Sequence, residues 1–104
     1  MKVWDDDIRK MPKDYDIWIH NYDEALTLLM SDNYENDSIE HISFDHDLGE
    51  GKTGYDIARI IERFAHDELI PRMTWDVHSA NPVGKRNIEK AMKSAERFWK
   101  KYNL

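Results

Sequence analysis

Three short polar clusters hold the residues of this chain that could do chemistry: Asp5-Asp6-Asp7, Asp45-His46-Asp47 and His78-Ser79-Ala80-Asn81. Aspartates supply the hard oxygen donors that Mg²⁺ takes, commonly one or two carboxylates plus a substrate phosphate. Histidine is the residue type that exchanges protons near neutral pH, which makes His46 and His78 candidate general base and acid, in either order. Ser79 and Asn81 offer hydrogen bonds. Asn81-Pro82 reads as a helix start, whose positive end, with Lys85 and Arg86 behind it, favours a phosphate. Each cluster also has a plainer reading: a solvated acidic turn for the aspartate triplet, an Asx turn at residues 45–47, an N-cap at Asn81. A turn does not require a histidine between two aspartates, so the middle cluster is the one packing explains least.

The clusters matter because of the elements that must position them. Lys2-Val3-Trp4 reads as a short strand running into the first cluster, and Ile17-Trp18-Ile19 as a second ending at His20. Residues 8–15, with Pro12, read as a loop. Asn21 can cap a helix with Glu24 as its capping-box partner, and Ala25, Leu28 and Leu29 form its apolar stripe. The acidic segment 32–38 reads as a loop. Residues 39–44 form a third strand ending at Asp45. Gly49, Gly51 and Gly54 follow with Lys52 and Thr53; this is not a phosphate loop of the Walker order, but it can present N–H groups and a helix N-terminus to an anion. Thr53 caps a helix whose core face is Ile57, Ile60, Ile61 and Phe64. Residues 73–77 alternate, with Met73, Trp75 and Val77 on one face and Thr74 and Asp76 on the other, as in a half-exposed edge strand. Ile88, Met92, Ala95, Phe98, Trp99 and Tyr102 mark one face of a long last helix that is Lys-rich late in its course. Trp18, Trp75 and Trp99 fit apolar faces and read as core; Trp4 fits either side. His20 reads as a surface residue, and His41 and His66 receive no role. The β, β, α, β, α, β, α order predicts parallel strands with right-handed crossovers, which brings the three clusters to one sheet edge, where open α/β sheets bind ligands.

The chain has 104 residues, 40% hydrophobic and 12% aromatic, and reads as one globular domain over residues 1–104. Its net charge of −6 excludes non-specific duplex nucleic-acid binding as the expected role. With no cysteine there is neither a disulfide frame nor a thiolate metal site. No apolar run approaches a membrane span and no signal-peptide core opens the chain, so a cytoplasmic protein with no membrane association is expected.

Taken in order, Trp4-Asp5-Asp6-Asp7-Ile8-Arg9, Ile42-Ser43-Phe44-Asp45-His46-Asp47-Leu48-Gly49, Thr53-Gly54-Tyr55-Asp56 and His78-Ser79-Ala80-Asn81-Pro82-Val83-Gly84 resemble the cyclic-phosphate processing receiver-like domain, a relative of response-regulator receivers. The resemblance runs over essentially the whole chain. It implies a receiver-like, flavodoxin-like three-layer α/β/α fold with a mostly parallel four-stranded sheet. It also implies Asp6 and Asp7 as the acidic metal-holding pair, Asp45 as metal ligand and reactive carboxylate, and Ser79 as the phosphate-contacting hydroxyl. The chain departs from the receiver pattern in two places. No fifth strand or its lysine follows the last helix, and a loop around Pro12 replaces the helix between the first two strands. Both departures weigh against phosphorelay signalling, while His46 and His78 suit hydrolysis.

The expected function is a metal-assisted phosphoesterase acting on a cyclic phosphate or phosphate-bearing nucleotide derivative. Asp6, Asp7 and Asp45 would hold Mg²⁺ or Mn²⁺; Asp45, His46 and His78 would be catalytic; Arg9, Asp47, Thr53, Gly54, Ser79 and Asn81 would bind the small phosphate-bearing ligand. Two other readings use the same residues: a module that sequesters a nucleotide signal without cleaving it, and a degenerate receiver that docks partners through its last helix. The oligomeric state stays open.

Overall fold

The computed structural model describes residues 1–31, 39–47 and 51–103. The acidic loop expected at 32–38 and the Leu48-Gly49 part of the middle motif lie outside the described residues. The element order is β1 Lys2–Asp5, β2 Ile17–Ile19, α1 Tyr22–Leu29, β3 His41–Phe44, α2 Gly54–His66, β4 Thr74–Val77 and α3 Pro82–Tyr102. The four strands form one sheet in the order β2-β1-β3-β4, every pair parallel. This is a receiver-like α/β sheet, with β4 at its edge as the alternation of its residues predicts.

Side chains alternate across a strand, and the register places Ile17, Val3, Ile42 and Trp75 in one row, with Ile19, Asp5, Phe44 and Val77 in a second row on the same face. That face meets all three helices in a single core, including Ala25 and Leu29 of α1, Ile57 and Ile61 of α2, and Ile88, Met92 and Trp99 of α3. Fully burying each of these larger side chains contributes about 1.5–3 kcal/mol. Ala58 and Ala65 on α2 and Ala91 and Ala95 on α3 are buried, and such small residues let helix backbones approach closely. The N-cap residues are those the sequence predicts, but at α1 the Glu24 carboxylate accepts from His20 N–H at 2.7 Å and not from Asn21, so the expected capping box is half formed. Asn21 Oδ1 accepts from Glu24 N–H at 2.9 Å, Asn81 Oδ1 accepts from Gly84 N–H at 3.0 Å, and Asp56 Oδ2 accepts from Thr53 N–H at 2.7 Å.

The layering differs from the three-layer expectation. Among the described residues all three helices share the core on one face of the sheet and none covers the other, where residues of the β1–β2 loop pack on Trp4 and Ser43 is buried. The cause is the one noted in the sequence: the β1–β2 connection, which would cross on that side, is a loop. Trp18 is a second correction. It pairs in register with Trp4 on the helix-free face, not in the core, because Ile17 and Ile19 take the inward positions of β2. Trp75 packs against the core and Trp99 is fully buried within it, as read. Among the described residues no helix is long and apolar enough to cross a membrane.

Candidate metal and phosphate site

β1 runs one residue further than its apolar pattern shows, so Asp5 is the last strand residue and inherits the helix-facing orientation of Val3. Asp5 is fully buried, and neither carboxylate oxygen has a hydrogen-bond partner. Burial first, then the charges of Asp45, Asp6 and Asp7, push its carboxyl well above the ordinary range. Asp6 is equally buried but saturated: Oδ1 accepts from Ile8 N–H at 2.8 Å and Arg9 N–H at 2.6 Å, and Oδ2 accepts from His78 Nε2 at 2.9 Å. Burial alone would raise Asp6, but the two backbone donors and His78 outweigh it and hold its carboxyl below the usual value. Asp7 stays partly exposed and acts on Asp5 by charge.

Asp45 follows β3 directly, its N–H donating to Asp5 O at 2.9 Å. Ligand atoms of Asp6, Asp45 and His78 all lie within 4.8 Å of one another. The donor set fits a divalent cation. An unpaired buried carboxylate behind this cluster costs free energy that a nearby positive charge would offset. His78 gives its Nε2 hydrogen to Asp6 and offers no lone pair there, so the donors are carboxylate oxygens, which suit Mg²⁺ or Mn²⁺.

His46 follows Asp45 and packs against the start of α3. Its Nδ1 lies 3.1 Å from Asp47 Oδ1 and 3.4 Å from Asn81 Nδ2. The Asp47 carboxylate can only accept from Nδ1 and the Asn81 amide can only donate to it, so the two neighbours favour opposite tautomers; in the one that the closer Asp47 favours, the lone pair is on Nε2. The ring rests on Gly84 in the first turn of α3, where an added Cβ would meet the ring at 2.2 Å. Gly54 makes the matching approach on α2. A Cβ there would fall 1.9 Å from Asp45 O, and its N–H donates to His46 O at 2.9 Å. The glycines thus bring the N-terminus of α2 against the Asp45-His46 backbone and that of α3 against the His46 side chain, and both helix starts carry a positive end. Thr53 bonds Asp56 within its capping box, and Ser79 Oγ accepts from Asn81 N–H at 3.1 Å, so both hydroxyls are part of helix starts. Asp47 is the most exposed of the group.

His78 is held from every side. It stacks on Trp4 and gives Nε2 to Asp6, while Nδ1 lies 2.8 Å from Ser43 Oγ. Ser43 Oγ donates to Asp76 Oδ1, so the serine oxygen accepts from His78 Nδ1 and the ring donates at both nitrogens. His41 Nε2 meets the other Asp76 oxygen at 3.0 Å. Arg9 ties the β1 loop to β4, its guanidinium donating to His78 O at 2.7 Å. A concavity of ≈ 600 Å³, bounded in part by Lys2, Tyr15, His41 and Asp76, opens on the same face but toward the amino ends of the strands, away from Asp45.

The fold therefore gathers Asp6, Asp45, His78, His46, Asn81 and Arg9 at one edge, with Asp7 and Asp47 at its rim. Sequence reading gave no site role to Trp4, Ser43 or Asp76, and it left Asp5 in the acidic cluster without a role of its own. Asp5 was within reach of it, because strict alternation from Val3 puts Asp5 on the buried face. Ser43 and Asp76 join the site only through cross-strand register.

A comparison with protein families matches residues 1–94 to the cyclic-phosphate processing receiver domain. Neither curated proteins nor solved structures yield a significant match.

Proposed function

The chain belongs to the cyclic-phosphate processing receiver domain family, and from that membership and its site we propose a metal-assisted phosphoesterase that opens a cyclic phosphate or cleaves a related phosphate ester. The observation that carries this reading is the unpaired, fully buried Asp5 behind the Asp6–Asp45–His78 cluster, with two helix starts packed against Asp45 and His46. Asp6, Asp45 and the neighbouring acidic residues would hold Mg²⁺ or Mn²⁺. When bound, the cation neutralises phosphoryl charge and orients water.

The remaining roles fall to the chain's own residues. The helix starts at Gly54 and Pro82, with Asn81, position the phosphate. His46 Nε2 takes the proton of the attacking water as its oxygen bonds phosphorus. The P–O ester bond then breaks, and the departing oxygen is protonated from solvent at the exposed mouth. His78, engaged at both nitrogens, keeps Asp6 in place and moves no proton. That same engagement leaves a single free histidine, which favours sequestration without cleavage as the second reading.

The test is a ³¹P NMR panel of cyclic nucleotides, ribose cyclic phosphates and ADP-ribose derivatives, with protein and Mg²⁺ or Mn²⁺. A new resonance that EDTA suppresses supports the phosphoesterase. A shifted or broadened resonance with no product supports the sequestering module.

A further inference from the structure

α3 carries Lys85, Arg86, Lys90, Lys93, Arg97, Lys100 and Lys101 against Glu89 and Glu96, seven basic and two acidic residues, a local net charge of +5. The whole chain is −6, so the remainder is −11. The basic residues are not scattered. Arg86, Lys90, Lys93, Arg97 and Lys100 recur at four- and three-residue steps, which places them on one side of a helix. The core takes the opposite side, through Ile88, Met92, Ala95 and Trp99, and all seven basic residues are exposed. Among the described residues none of the seven is in an ion pair. Arg86 to Lys100 spans about 21 Å at the helical rise. The stripe begins at the helix N-terminus that carries Asn81 and touches His46 through Gly84.

We propose that this stripe is a track for single-stranded nucleic acid whose terminal phosphate enters the site at the start of α3. The substrate class would then be the phosphate at a strand end, in preference to a free mononucleotide. The position of the strand end rests on the proposed phosphate site; the binding itself rests only on the stripe. Rows of Lys and Arg neutralising phosphates are the sequence-independent part of nucleic-acid affinity. Protein partners are anchored by Trp and Tyr as well as Arg, with Lys depleted; beyond the first turn of α3 the outward positions hold no aromatic or apolar anchor, and three of the five stripe residues are Lys. The excess negative charge elsewhere repels a wide duplex and confines a polyanion to this one helix. The competing occupant is the acidic remainder of a second copy.

The test is fluorescence anisotropy with a fluorescein-labelled, 3′-phosphorylated single-stranded RNA, titrated with the full chain at several salt concentrations. Four to five phosphate contacts predict a slope of log K against log salt of about −3, from −0.7 per contact. The double charge reversal Lys93→Glu with Arg97→Glu, its fold checked by circular dichroism, should flatten that slope by about 1.4 and weaken binding at least about tenfold. It should leave cleavage of a cyclic mononucleotide unchanged. RNA binding without any phosphate cleavage supports the track and removes only the hydrolytic reading. No binding by the parent chain at low salt, or equal binding by the reversed variant, overturns the track. So does salt-sensitive self-association that the reversal abolishes while RNA is ignored, which assigns the stripe to a second copy.

Discussion

His78 lies flat on Trp4, their ring centroids 3.9 Å apart and their planes within 5°. The indole is itself fixed by its N–H, which donates to Arg9 O at 2.9 Å, and by the edge of Tyr15. An aromatic on the helix-free sheet face thereby sets the orientation of a ring whose Nε2 reaches the buried Asp6. Trp4→Leu should cost the stack, about 0.5–1.5 kcal/mol beyond lost area. It should also weaken Mn²⁺ binding about 10–100-fold, as for a group that orients a ligand. Trp4→Phe should restore most of both. Calorimetric Mn²⁺ titration checks this; undiminished affinity in folded Trp4→Leu would show that the stack orients nothing.

Asp5 and divalent cations should oppose each other thermodynamically. Its folded value is raised, so the folded state binds the extra proton, and stability falls as pH climbs from the ordinary 3.8 through that raised value. Asp5→Asn removes this fall and should stabilise the metal-free protein at neutral pH, on the order of 1 kcal/mol or several degrees in Tm. Mg²⁺ or Mn²⁺ at ~100 times Kd should stabilise the parent by about 2.7 kcal/mol and the variant by less. Thermal melts with and without metal decide it; a destabilised Asp5→Asn in EDTA would count against an unpaired charge at this position.

Asp6 has the opposite sign. Its carboxyl is held low by Arg9 and Ile8 N–H and by His78 against the effect of burial, so its stabilisation is present above 3.8 and is lost as pH falls through the lowered folded value. Asp6→Asn should therefore flatten the acid limb of the stability curve while lowering the neutral plateau. Urea midpoints measured from pH 2 to 7 report this directly. A parallel downward shift of the whole curve would contradict it.

The two buried glycines should separate packing from catalysis. In Gly54→Ala the new Cβ meets the Asp45 carbonyl, which cannot swing away, and overpacking of this kind costs about 1–3 kcal/mol. In Gly84→Ala it meets the His46 ring, which can rotate out, and less closely His46 Cβ, which moves only with the backbone, so a smaller loss of stability is expected here. Gly84→Ala should then lower kcat with metal affinity kept, whereas Gly54→Ala should lower stability and activity together. Equal losses of stability in both would refute the distinction.

Asp45→Asn should abolish turnover and metal binding with the fold intact, exceeding the about 10–100-fold expected for an outer partner of the site. Retained phosphoesterase activity in a folded Asp45→Asn would remove Asp45 from the chemistry.

Much of this was legible along the chain because the signals are local. Strand and helix periods, the caps at Asn21, Thr53 and Asn81, and the parallel order together require the three polar clusters to share one edge. The basic spacing on α3 is likewise a property of the sequence. What the linear chain could not decide depends on what lies across space. Of three consecutive aspartates, Asp5 is buried without a partner and Asp6 is saturated, because β1 extends one residue further and keeps Asp5 in the inward row with Ile19 and Phe44. Ser43 and Asp76 meet His78 only because β3 and β4 pair in one particular register. Trp18 faces the helix-free side because two isoleucines compete for the core side of a three-residue strand. Whether a face of the sheet is covered is decided by which connections carry helices, a balance of packing that no single segment contains.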